Sequence, residues 1–114
     1  MADRLVIDVS DLPPGGLREV TIGDRAVLLC NAGGSFHAIE NRCPHAAVPL
    51  GHGQLVGHVL ECPYHGGTLD VRDGSPQSPP IRKPVATFAV RKVEGGIEID
   101  PGAPCGVGGH PCTT

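Results

Sequence analysis

Apolar and polar positions along this chain change over short distances, with the period of two that marks strands rather than the 3.6 of helices. Residues 5–9 (LVIDV) are apolar and β-branched, and Pro13-Pro14-Gly15-Gly16 breaks them off. Residues 17–22 move into the alternation Glu19-Val20-Thr21-Ile22. Gly23-Asp24 then reads as a hairpin turn into a partner strand over 25–30. Asn31-Ala32-Gly33-Gly34 supplies the next turn, and 35–40 is a further strand. Shorter strands are expected at 54–56 and 58–61 on either side of Gly57, and at 68–71. A Pro-rich stretch over 76–84 follows, then strands at 85–91 and 97–100 joined through Glu94-Gly95-Gly96. No segment has the length and periodicity of a stable helix, so the pattern predicts an all-β protein.

Composition sharpens this picture. With 114 residues the chain is one domain, large enough for a small core and short for an enzyme with its own substrate cavity. Aromatic residues are scarce, Phe36, Tyr64 and Phe88 alone, whereas 17 Gly and 12 Pro imply a loop-rich fold in which something other than side chains fills part of the core. A formal charge of −3 without a basic run excludes a nucleic-acid surface. The first residues, MADRLVID, carry charge from Asp3 onward and hold no apolar run long enough for a leader or anchor, so a cytoplasmic location is expected. A reducing compartment disfavours disulfides among the five cysteines. Cys30 ends the apolar run from Ala26 and reads as a small buried hydrophobe.

The chemistry lies in two boxes. Cys43-Pro44-His45 and Cys62-Pro63-Tyr64-His65 read C-x-H, sixteen intervening residues, C-x2-H. Each stands in a Pro- and Gly-containing loop able to give one thiolate and one imidazole. Such a donor set suits a closed tetrahedral zinc site, or the iron–sulfur centre in which histidines replace cysteines on one of two irons.

The surroundings of the boxes resemble the Rieske [2Fe-2S] family over about residues 4–100. Besides Cys43, His45, Cys62, His65 and Gly66, the family context appears in Asn41, Pro49-Leu50, Gly53, Leu55, Asp70, Gly74 and Pro79-Pro80. Two separated boxes at the right distance are far more specific than a lone Cys-x2-His. The resemblance implies a base of antiparallel sheets with a small cluster-binding subdomain over about 41–80, in a domain of 1–102. Cys43 and Cys62 would ligate the inner iron of a [2Fe-2S] cluster, and His45 and His65 the outer one. It implies an electron carrier with no catalytic residues and no small-molecule substrate of its own. A flavoprotein ferredoxin reductase would supply its electrons and a terminal oxygenase would receive them. Ala46, Ala47, Pro49, Leu50, Tyr64 and Gly66 would form an apolar docking collar. The small subunit of an NADH-dependent nitrite reductase and a structural zinc module are the alternatives.

Departures from the family also carry expectations. Respiratory-type members have a disulfide between the ligand loops and a serine after the second His-Gly. Here Val48, Tyr64 and Gly67 stand at those positions. Fewer hydrogen bonds to the cluster sulfurs place the reduction potential toward the lower end of the Rieske range, around −150 mV. Leu69, where the family often has Phe, is expected to loosen the packing under the second loop. His37 is expected on the solvent face, and His52 and His58 as exposed histidines outside the ligand spacing. Arg42 reads as a solvated charge or a contact for an acidic partner. Residues 103–114, with Cys105, His110 and Cys112 among Gly and Pro, read as a disordered tail. Purified protein should contain iron and acid-labile sulfide in equal amounts, about two of each per chain. One zinc per chain without sulfide would contradict the two-box reading.

Overall fold

The computed structural model describes residues 5–23, 25–43, 48–64, 66–79 and 81–105. Ten strands run β1 (Leu5–Ile7), β2 (Leu17–Ile22), β3 (Arg25–Ala32), β4 (Ser35–Glu40), β5 (Gln54–Val56), β6 (Val59–Glu61), β7 (Thr68–Asp70), β8 (Pro76–Ser78), β9 (Thr87–Val93) and β10 (Gly96–Cys105). Six form one sheet in the order β1-β10-β9-β4-β3-β2, and four form a second in the order β5-β6-β7-β8. Every pairing is antiparallel. Among the described residues there is no helix, and none long and apolar enough to cross a membrane.

Turn chemistry fixes much of the register. Ala32 pairs with Ser35 across Gly33 (φ 66) and Gly34 (φ 103), a two-residue loop whose positive φ values match the twist of the flanking strands. Ile22 likewise pairs with Arg25, and Val56 with Val59 across Gly57 and His58. The second sheet is a chain of consecutive hairpins inside the stretch from about 41 to 80, while the first is built from residues on both sides of that stretch.

The alternation of β3 divides the interior into two clusters. Val27 and Leu29 face Ile7, Ile22, Ala38, Phe88, Ile97 and Ile99, whereas Leu28 and Cys30 face Ile39, Leu60, Leu69, Val71 and the two box cysteines. All four β3 residues are fully buried, so the run from Val27 to Cys30 is apolar because the strand has no solvent face. Ile7 and Ile22 come from the two edge strands yet share a cluster, which shows that the large sheet curls over its own apolar side. Burial also raises the Cys30 thiol to about 12, which keeps it neutral and inert, as expected.

The structure departs from the sequence reading in several places. β8 was hidden by its prolines: it is an edge strand, where the missing N–H of Pro76 costs no ladder bond. β10 continues to Cys105, past the expected boundary at 102, and pairs Cys105 with Thr87 after an irregularity. The remaining tail residues lie outside the described set. Leu69 does not face an open space: it is fully buried opposite Leu60. His37 is half-buried rather than on the solvent face, and it flanks a cavity of about 190 Å³ with Phe36, Val71, Arg72 and Phe88.

Near that seam the second sheet carries a compact polar group. The buried Asp70 carboxylate accepts from Arg72 Nη2 at 2.8 Å and from the Arg72 amide at 2.9 Å. His58 Nδ1 lies 3.1 Å from Asp70 Oδ2, aligned too poorly for a hydrogen bond. So His58 is exposed only in part, with Nδ1 turned inward; His52 is exposed.

Burial lowers the His37 pKa, against the raising effect of Asp70, so the unfolded chain takes up that proton first. The contribution is whole above the ordinary value of 6.5 and is lost as pH falls through the depressed folded value. Burial raises the Asp70 pKa, but its hydrogen bonds from Arg72 outweigh that and lower it. Its stabilisation is present above 3.8 and is lost at still lower pH. Stability should therefore fall in two stages on acidification, and His37→Gln should flatten the first, which begins as pH drops below the ordinary value of 6.5. Equal acid sensitivity of the denaturation midpoints of the two proteins would contradict this.

Candidate metal centre

Both box cysteines are in the interior. Cys43 is 0 % and Cys62 2 % exposed, neither forms a disulfide, and both belong to the cluster of Leu28, Ile39, Leu50, Leu60 and Leu69. Cys43 follows the end of β4, and Cys62 follows β6. Each thiol is delivered by a strand end into the space between the sheets.

The two loops close in the same way. The Cys43 amide donates to the Val48 carbonyl at 2.7 Å, and the Cys62 amide to the Gly67 carbonyl at 2.8 Å. Each closure joins a cysteine to the residue five places on. Between the paired residues the sequence carries one histidine of each box, His45 in the first and His65 in the second. The Gly66 amide also returns to the Cys62 carbonyl at 3.2 Å, with Gly66 at φ 76. Val48 and Gly67, which depart from the respiratory-type pattern, thus act through backbone carbonyls, a role indifferent to the side chain.

His45 and His65, with Ala46 and Ala47, lie outside the described residues. Among the described residues no three His, Cys, Asp or Glu side chains converge on one point. Of the expected collar, Pro49 and Gly66 are exposed and Tyr64 is 60 % exposed. Leu50 is not part of it: its side chain is fully buried in the cysteine cluster, because the first loop turns inward there to cover the core.

Outside the boxes, Asn41 anchors the first loop. Its buried side chain accepts from the Leu50 amide at 2.8 Å and donates to the Glu19 carboxylate at 2.7 Å, which ties the far end of the loop to β2. Glu19, which the sequence reading left among solvated acids, is the partner that fixes Asn41. Only its position across the sheet from Asn41 reveals it. Under the second loop, Gly74 stands at φ 77 with its open side against the Val85 carbonyl, where any side chain would collide. The Val85 amide in turn donates to the Gly74 carbonyl at 3.0 Å, which locks the 70–74 turn to the chain leading into β9.

The donor set fits a metal. Two unbridged thiols buried together would be costly as free thiolates, and a cation between them removes that cost. An all-β fold carrying two matched Cys/His boxes on one core suits a zinc site or a mixed-ligand iron–sulfur centre, and the family match decides between them. Residues 3–89 match the Rieske [2Fe-2S] domain, and the chain belongs to that family. The family's group is a [2Fe-2S] cluster, which sets the zinc alternative aside.

Several relatives of similar length are named ferredoxins or ferredoxin components. The chain is 37 % identical over 95 residues to ferredoxin CarAc of Metapseudomonas resinovorans, covering 82 % of this chain and 89 % of that one. It is also 37 % identical over 95 residues to the ferredoxin component of biphenyl 2,3-dioxygenase of Rhodococcus jostii, covering 83 % and 88 %. Its fold matches a chain solved in the complex of reduced oxygenase and oxidised ferredoxin of carbazole 1,9a-dioxygenase, with TM-score 0.79 and 33 % identity over 96 % of this chain and 97 % of that one.

Asn41→Ala should cost about 1–3 kcal/mol, because it leaves the buried Leu50 amide without an acceptor. Asn41→Asp keeps that acceptor but sets a second carboxylate against Glu19, so its penalty should shrink on acidification. Denaturant titration at two pH values checks both. An Asn41→Ala protein as stable as the wild type would contradict the anchoring role.

Proposed function

We propose that this protein is a soluble, cytoplasmic Rieske-type ferredoxin. It carries single electrons from a flavoprotein reductase to a terminal oxygenase of a dioxygenase system. The observation that carries the reading is the pair of identically closed loops on one buried thiol pair, in a chain that covers nearly the whole length of relatives named as dioxygenase ferredoxin components.

Cys43 and Cys62 would hold the inner iron from within the core, and His45 and His65 the outer iron from the loop tips. When bound, the cluster supplies a one-electron couple. The chain's own residues do three things around it. The buried leucines of both sheets exclude water from the thiolate side. The two amide-to-carbonyl closures and the Asn41 anchor hold the loops in place, so that little reorganisation accompanies a change of charge. Exposed Pro49, Tyr64 and Gly66 give a partner an apolar landing area beside the loops. The chain is an electron-transfer component and carries no acid/base or nucleophile constellation for turnover of its own. With Val48 and Gly67 where respiratory-type proteins place a disulfide cysteine and a hydroxyl, a potential toward the lower end of the family range, around −150 mV, suits transfer from a flavin to an oxygenase.

Cys43→Ser and Cys62→Ser should abolish the visible spectrum and lower stability, since the buried thiol pair loses the charge balance that holds the loops. His45→Ala and His65→Ala should lose the Rieske spectrum while retaining a β fold by circular dichroism. A normal cluster in any of the four would refute the ligand assignment. Reduction of the loaded chain by a flavoprotein reductase, followed by reoxidation on adding a dioxygenase oxygenase component, checks the carrier role. A stable complex with a sirohaem-containing subunit would favour the nitrite reductase alternative instead.

A further inference from the structure

A groove of about 490 Å³ runs beside the first ligand loop, lined by Arg25, Glu40, Asn41, Arg42, Pro49 and Phe88 among others. Arg42 directly precedes Cys43, and Pro49 directly follows Val48, whose carbonyl closes the loop. The groove therefore borders both legs of the loop that holds the first thiol.

Two cationic side chains stand together in it. Three arginines elsewhere pair with their neighbours, Arg18 with Asp11 at 2.7 Å, Arg72 with Asp70 at 2.8 Å and Arg91 with Glu98 at 3.0 Å, while Arg82, away from the groove, is exposed and unpaired among the described residues. Arg25 and Arg42 are both exposed and have no ion-pair partner among the described residues. The Arg25 guanidinium lies 5.9 Å from the centroid of the Phe88 ring, which steadies it without neutralising it. Glu40 is half-buried and pairs with neither arginine. A chain of net charge −3 thus carries two unpaired guanidinium groups beside its metal loop, with Pro49 and Phe88 as apolar walls.

We propose that this groove docks a carboxylate-bearing segment of a redox partner protein, with Arg25 and Arg42 as the pairing groups. The proposal rests on the electron-carrier reading. Guanidinium forks suit carboxylates, and an attractive patch at the transfer site steers an anionic partner although the molecule as a whole repels it. An occupant of the groove touches the same loop through which an electron must leave.

Two measurements on the loaded, full-length protein test it. A dye-labelled hexaglutamate peptide should bind at low salt, with affinity roughly five- to tenfold weaker for the double variant Arg25→Gln/Arg42→Gln. Arg91→Gln, a paired arginine elsewhere, should leave the affinity unchanged. The second measurement is the rate at which reduced protein passes one electron to ferricyanide, which becomes ferrocyanide. A net charge of −3 acting alone makes that rate rise with ionic strength, whereas a cationic docking point makes it fall. The wild-type rate should fall with salt, and the double variant's should rise. Arg25→Gln, a change on β3 rather than on a ligand loop, should give about half the effect, and it decides the question if the double variant fails to take up the cluster. Equal peptide affinity for wild type and variant, or a salt dependence that the substitutions leave alone, would overturn the docking site. The visible spectrum keeps the two readings apart: a chain that never takes up iron and sulfide removes the carrier role, while a loaded chain indifferent to these arginines removes only the groove.

Discussion

Two thiols buried in one apolar cluster set the terms for the rest of this molecule. Cys43 and Cys62 come from different strand ends, and nothing links them covalently. They share a core because both sheets bury leucine, isoleucine and valine against that same place. A buried thiolate pair is unfavourable until a cation balances it, so the site is coupled to folding from the start. With three aromatic residues in the whole chain, the core has little bulk of its own to fill that space. A metal group held there would join the aliphatic side chains as one interior.

The loops are the second element of this arrangement. Loops proposed to ligate a redox centre must keep their shape as its charge changes, and here each is closed by an amide-to-carbonyl bond across five residues. The closure needs no particular side chain: Val48 and Gly67 contribute carbonyls, which every residue type has. What the side chains add is anchoring at a distance, through Asn41 to Glu19 on one side and through the Asp70–Gly74 turn on the other.

Much of this was legible in the sequence because strands and metal loops write locally. The hairpins at Gly33-Gly34 and Gly57-His58, the buried run from Val27 to Cys30 and the two Cys/His boxes are each contained in a few consecutive residues. What escaped depends on residues far apart in the chain. β8 is a strand only because Pro76 lies at a sheet edge, which the Pro-rich composition concealed. Leu50 reads as part of a surface collar until the loop is seen to turn inward. His37 reads as a solvent-facing strand residue until the turn after β7 places Val71 and Arg72 across a small cavity from it. Glu19 has no local motif, and its hydrogen bond from Asn41 follows only from where β2 lies in the fold. The proposed ligand histidines show the opposite case: the sequence spacing names His45 and His65, and both lie outside the described residues.

The central claim is that one binuclear cluster is held by two inner thiolates and by two imidazoles, one on each closed loop. Pulsed electron paramagnetic resonance on reduced protein labelled with ¹⁵N-histidine addresses it directly. The account predicts coupling from two histidine nitrogens, assigned to His45 and His65. A reduced cluster with no ¹⁵N coupling, or with coupling from histidines outside the two boxes, would contradict it.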